Sequence, residues 1–295
     1  LIVYRSFPKD SILTEMCAII RDFDEKRCGS NDLIDRIHTQ IKALLDLSTA
    51  LGFDGSLWRC YLTWLLLTNE NSFTLSSERC KIEQGSIQPL VLSDLRIFRK
   101  LFYYDFHRLQ KALHIDCFDI INHYHAIEKS SRICDPNAAR IVQKITKALE
   151  EAEDETAMAN VLSAFYQRYG IGDFAIYRAF RFEREANGEL KLLAIRNMDE
   201  VMLDDLVGYQ MQKEMLVENT KAFVEGRNAN NVLLYGDSGT GKSTSIKAIV
   251  NAFYDQGLRM IEIYKHQLRD LSALISLLKK RNYRFIIYMD DLSFE

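Results

Sequence analysis

Eight consecutive residues, Gly236, Asp237, Ser238, Gly239, Thr240, Gly241, Lys242 and Ser243, satisfy the spacing GxxxxGK[ST] at every fixed position. That spacing suits a bound phosphate chain. Gly236, Gly239 and Gly241 let the main chain approach phosphate oxygens closely. Amides of the loop and of the following helical turn point inward, and the helix N-terminus adds positive potential. Lys242 supplies an ammonium for the β- and γ-phosphates and Ser243 a hydroxyl for Mg²⁺. Thr244 stands near enough to touch the α-phosphate. A glycine-rich turn can match such a spacing by chance. The apolar run before the loop and the helix-forming run after it are the context that favours nucleotide, here ATP.

A second constellation is FIIYMDD at 285–291, an apolar strand pattern that ends in two carboxylates. A carboxylate at the end of such a strand holds Mg²⁺ in phosphoryl-transfer sites, and Asp290 is in that place. Asp291 follows where a residue that orients the attacking water sits. The plainer alternative is a buried strand with an acidic exit loop. Other clusters carry less. Cys117, His123, His125 and Cys134 match no usual zinc spacing and read as packing residues. Trp58 and Trp64 read as core, and Lys279–Arg281 as the solvated end of a helix.

These residues need elements to position them. From Val207 onward the pattern alternates: a helix over about Tyr209–Val224, a strand over Asn231–Tyr235, the glycine loop, a helix over Lys242–Asp255, a strand over Leu258–Ile263, a helix over His266–Lys280 and a strand over Phe285–Met289. Strands alternating with helices predict a parallel sheet covered on both faces. Residues 1 to about 168 read as helical instead. Asp32–Leu51 and Leu95–Leu113 carry apolar residues at the 3.6 period, and Cys60–Asn69 reads as a buried helix. Asp135-Pro136 starts a helix that runs to about Ala152, and another covers about Thr156–Tyr169. Between the two parts, Phe174–Phe182 and Leu190–Ile195 flank Asn187-Gly188 and predict a hairpin. The domain organisation is therefore 1–168 helical, 169–203 hairpin and linker, and 204–295 α/β.

The chain has 295 residues, 47% hydrophobic and 27% charged, with a net charge of −3. That balance is globular rather than disordered, and it lacks the basic surplus of a protein that binds nucleic acid mainly through phosphates. No apolar run is long enough for a membrane span. Six cysteines without a CxxC pair favour reduced thiols in a cytoplasmic protein. The chain begins at Leu1 and ends at Glu295 just after an apolar run, so it reads as a piece of a longer one.

Residues from about 204 to 295 resemble an AAA+-type ATPase. More narrowly, they resemble a bacterial family of AAA+ ATPases of unknown function. The likeness is carried by LDDLVGYQMQKEMLVENTKAF at 203–223, NNVLLYGDSGTGKS at 230–243, GLRMIEI at 257–263 and FIIYMDDLSFE at 285–295. It implies an α/β P-loop NTPase with an AAA+-like parallel sheet, cut after the strand that ends at the carboxylates. It implies Mg²⁺-dependent ATP hydrolysis that drives conformational work on a macromolecular partner, or an ATP-gated assembly switch with negligible turnover. Val207 and Gly208 are implied to line the adenine pocket. Asp291 stands where many such proteins have Glu, which puts its role as base in doubt and leaves Glu295 as a weaker candidate. The family also implies a homo-oligomeric ring, an arginine from the neighbouring subunit, and a further strand between the loop strand and the carboxylate strand. Without that strand two apolar edges face a gap, and the chain as given is expected to fold poorly or hydrolyse little.

Overall fold

The fold is taken from a computed structural model that describes residues 1–8, 10–79, 85–126, 136–184, 188, 190–196 and 198–290. The chain divides into two compact units, Leu1–Gln167 and Arg168–Glu295.

The first unit is helical: α1 Ile12–Asp24, α2 Ser30–Leu51, α3 Leu57–Thr68, α4 Ser72–Arg79, α5 Gln88–Phe102, α6 His107–Leu113, α7 Cys117–Asn122, α8 Pro136–Glu150 and most of α9, Glu155–Tyr169. α3 is its hub. Leu57, Trp58, Cys60, Tyr61, Leu62, Leu65, Leu66 and Leu67 are buried, so the helix is apolar nearly all round, as a central helix must be. It meets α2, α5, α7 and α8. Two buried polar sites are paired: Thr146 Oγ1 donates to Thr63 Oγ1 at 2.9 Å, and the Asp94 carboxylate accepts the amides of Ile2, Val3 and Tyr4 at 2.8–2.9 Å. Cys17, Cys28, Cys60 and Cys117 are free thiols.

The single helix predicted over Leu95–Leu113 is two. Trp58 Nε1 donates to the carbonyl of Leu101 at 2.8 Å, and Arg59 Nε donates to that of Phe102 at 3.1 Å. Side chains of α3 thus claim carbonyls at the end of α5, and Asp105 accepts the amide of His107 at 2.9 Å to start α6. The chain turns there with both Phe102 and Phe106 buried. The predicted cap Asp135 lies outside the described residues, and Pro136 opens α8.

The second unit is α/β: α10 Asp173–Ile176, β1 Ala179–Arg184, β2 Leu190–Ala194, α11 Gln210–Val224, α12 Lys242–Phe253, β3 Leu258–Ile263, α13 Leu271–Leu278 and β4 Arg284–Met289. The four strands make one sheet in the order β2-β1-β3-β4. β1 and β2 are antiparallel; β1 with β3 and β3 with β4 are parallel. The sheet is therefore mixed rather than the parallel sheet expected, because the hairpin joins it through β1. Ile246 and Val250 of α12 pack on Ala179 and Met260, and Ile249 and Phe253 pack with Leu258 and Leu216. α12 thus covers one face and is sandwiched by α11.

Three local expectations are corrected. Asp173–Ile176 is a helical turn, because Gly172 at φ 65° and ψ −152° redirects the chain, so only Ala179–Phe182 of the first predicted strand is a strand, which runs on to Arg184. The helix expected from His266 begins as a 3₁₀ stretch over Lys265–Asp270 and is α-helical only over Leu271–Leu278. Asn231–Tyr235 is no strand. Among the described residues no strand pairs with it, and Leu233 and Tyr235 are 63% and 88% exposed. An apolar run becomes a strand only where a neighbour satisfies its amides and carbonyls.

Candidate functional site

The site lies where β4 ends and α12 begins. Gly236, Gly239 and Gly241 stand at φ 140°, 79° and 82°. Gly241 is the residue preceding α12 and is in the left-handed region, which a side chain would strain. The intrahelical ladder starts with the Ser245 amide on the Gly241 carbonyl at 2.8 Å. The amides of Lys242, Ser243 and Thr244 precede it and have no carbonyl within the helix to meet. Thr240 Oγ1 donates to the Asp237 carbonyl at 2.9 Å and braces the loop. Lys242 Nζ donates to the carbonyls of Gly236 at 3.0 Å and Asp237 at 2.7 Å, so the ammonium is drawn across the loop.

Ser243 Oγ donates to Asp290 Oδ2 at 3.1 Å, across 47 residues of sequence. The two residues assigned to Mg²⁺ are thus brought together. α12 is held in place for this from the chain before α11: Lys247 Nζ bonds Asp199 at 2.7 Å, and Asn251 Nδ2 donates to the carbonyls of Asp199 at 3.0 Å and Val201 at 2.9 Å. Leu206 packs near the end of the loop, 3.8 Å from where a Cβ on Gly241 would stand. Val207 and Gly208 follow directly. Val207 is 93% exposed, Gly208 has φ 84°, and Tyr209 enters α11 at φ 51°. Asp291 and Glu295 lie outside the described residues.

Residues 175–295 match the model of a family described as protein of unknown function (DUF815). No curated protein and no solved structure matches the chain. The matched stretch takes in the whole glycine loop, Asp290 and the sheet, while α1–α9 lie outside it.

Sequence reasoning overlooked Tyr288. Its side chain is half-buried beside the site, against the cluster of Ala179, Met198, Ile246, Val250 and Met260. Burial pushes its pKa up to about 12, and the nearby Asp290 carboxylate adds to that shift. The signal was available, because period two along β4 puts residue 288 on the face of residue 290. Arg281, expected as a solvated helix end, instead lies with its guanidinium 4.9 Å from the centre of the Phe174 ring.

The residues present fit a nucleotide phosphate chain and a hard divalent cation. Backbone amides at a helix start and a nearby ammonium are anion donors, while a hydroxyl beside a carboxylate is the oxygen set that Mg²⁺ takes. Among the described residues no group of three His, Cys, Asp or Glu side chains could hold a metal elsewhere. Cys134 of the weak zinc candidate is not among the described residues. None of the helices described is long and apolar enough to cross a membrane.

Proposed function

We propose that the second unit binds ATP with Mg²⁺ at Gly236–Thr244 and Asp290 and hydrolyses it. The observation that carries this reading is the 3.1 Å contact between Ser243 and Asp290, beside a loop whose Lys242 ammonium lies on its own carbonyls. Lys242 exchanges those carbonyls for β- and γ-phosphate oxygens, which carry full charge and make stronger acceptors. Amides of the loop and of the first turn of α12 hold the remaining phosphate oxygens. Ser243 and Asp290 would hold the cation, which would supply neutralisation of charge on the phosphate oxygens. Asp291, next in the chain, orients the attacking water, and Val207 and Gly208 border the base.

The resemblance to AAA+ proteins extends the reading to conformational work on a macromolecule and to a ring in which a neighbour's arginine completes the site. Calorimetry and phosphate release test the core of it. Wild-type protein binds ATP, and Asp291→Asn keeps that affinity while losing turnover. Failure of the wild type to bind ATP, with or without Mg²⁺, overturns the reading. Light scattering with a non-hydrolysable ATP analogue tests assembly: growth in mass on addition supports the ring, and a nucleotide-bound monomer with concentration-independent turnover removes it.

A further inference from the structure

The stretch 199–209, which leads past the end of the glycine loop into α11, is tied down at both ends. From α12, Lys247 and Asn251 hold Asp199 and Val201. The Met202 amide donates to Asp205 Oδ2 at 2.8 Å and braces the turn that follows. From α11, Lys213 bonds the same stretch twice. Its amide donates to the Tyr209 carbonyl at 3.0 Å, and its ammonium reaches back to the Leu206 carbonyl at 2.7 Å. Val207 and Gly208 are thus bracketed between two acceptors that one residue holds.

We propose that Lys213 is a positioning residue for the nucleoside part of the ligand, because its ammonium holds the Leu206–Tyr209 turn beside the glycine loop. The inference rests on the nucleotide reading given above. Gly208 stands at φ 84°, and Tyr209 at φ 51° and ψ 38°. The left-handed region is costly for a residue with a Cβ, and it persists only where neighbouring contacts impose it. Lys213 supplies such a contact by fixing the Leu206 carbonyl, three residues before Tyr209. A charged donor makes a stronger hydrogen bond to a carbonyl than a neutral one does. The turn so held turns apolar groups outward: Val207 is 93% exposed and Tyr209 58%. Leu206, at its start, stands 3.8 Å from where a Cβ on Gly241 would be. Phosphates on the amides at the start of α12 leave the nucleoside to extend over adjoining apolar surface, and this turn offers it. Without the ammonium the turn can relax toward right-handed backbone and draw Val207 and Tyr209 away from the loop.

The test compares ATP with inorganic triphosphate by calorimetry in Mg²⁺, because triphosphate has the phosphates and lacks the nucleoside. Lys213→Met keeps the apolar stem and removes the charge. It is expected to weaken ATP binding by about tenfold, on the scale of one lost hydrogen bond to a charged group, with triphosphate affinity unchanged. Lys213→Arg still carries charged donors and is expected to retain the wild-type preference for ATP. Equal ATP affinity in Lys213→Met and the wild type overturns the proposal. A parallel loss of triphosphate affinity overturns it too, and makes Lys213 a phosphate ligand or a fold residue. An arginine variant that loses as much as the methionine variant removes the bond to the Leu206 carbonyl as the cause. If neither variant folds, Lys213 is a fold residue and the proposal falls. A wild type that binds triphosphate as tightly as ATP removes this proposal and leaves the phosphate loop standing. A wild type that binds neither removes the nucleotide reading itself.

Discussion

The two ends of the sheet in the second unit each place a cation against main-chain carbonyls, and they do so to opposite effect. Where β3 begins, Arg259 is fully buried. Its guanidinium donates to the carbonyls of Phe174 at 2.7 Å, Leu258 at 2.7 Å, Tyr254 at 3.0 Å and Tyr169 at 3.1 Å, and lies 3.9 Å from the centre of the Tyr254 ring. Burial lowers its pKa from the ordinary arginine value. Tyr283 closes the cage by donating to the Tyr169 carbonyl at 3.1 Å and accepting the Ile171 amide at 2.9 Å. Where β4 ends, Lys242 meets two carbonyls among the described residues, on a loop exposed over Gly236–Gly239. One end of the sheet uses its polar groups on itself. The other brings an ammonium, a hydroxyl and a carboxylate to an exposed loop and strand end, where the proposed nucleotide would reach them. In parallel sheets ligands gather at the strand ends that finish, not those that begin.

Breaking the closed end gives the largest effect. Arg259→Met removes a donor from four buried carbonyls, of which Tyr169 and Tyr254 keep a second one in the Tyr283 hydroxyl and the Gly257 amide, and a loss of about 3–5 kcal/mol is expected, on the scale of a broken buried charge network. Denaturant unfolding of the second unit measures it; a loss under 1 kcal/mol erases the contrast between the two ends. Gly170→Ala comes next. Its Cβ would stand 1.2 Å from the Tyr283 hydroxyl, and its φ is 80°. Strain and overpacking together cost about 3 kcal/mol, again read by denaturant unfolding. A neutral result there shows that Tyr283 can leave the cage freely.

At the open end the fold is expected to be indifferent and the ligand sensitive. Lys242→Ala changes stability by less than about 0.5 kcal/mol, as surface substitutions do, yet weakens ATP binding at least tenfold, or about 1.4 kcal/mol. Calorimetry beside thermal melting separates the two, and a variant that melts early makes Lys242 a second Arg259. The smallest effect is the most selective. Asp290→Ala removes only the Mg²⁺-dependent part of ATP affinity and leaves the affinity in EDTA unchanged. Equal Mg²⁺ dependence in the variant and the wild type takes Asp290 out of the cation site.

Much of the site was legible in the linear chain. The loop glycines, Lys242 and Ser243 are adjacent, so their spacing alone states the backbone shape and chemistry they suit. Asp290 was legible because an apolar strand pattern ends at it. Tyr288 was passed over because its neighbours Phe285–Met289 made it look like one more apolar strand residue, although period two already placed it with Asp290. Arg259 gave no signal, since nothing local tells a buried arginine from an exposed one. Helix positions followed from the 3.6 period, but the break between α5 and α6 did not, because Trp58 and Arg59 cause it from α3.

By itself the sequence determined much of the local geometry: that residues 1 to about 168 are mainly helical, that the chain after Val207 mixes helices with strands, and that a glycine loop precedes a helix at Lys242. Those features depend on neighbours within a few positions, through backbone sterics and side-chain periodicity. Only the tertiary structure decided that the hairpin joins the sheet and makes it mixed, that no strand among the described residues pairs with Asn231–Tyr235, and that Ser243 and Asp290 meet. A strand exists only when another segment supplies its hydrogen-bond partners, and a site assembled across 47 residues exists only when packing has closed that distance.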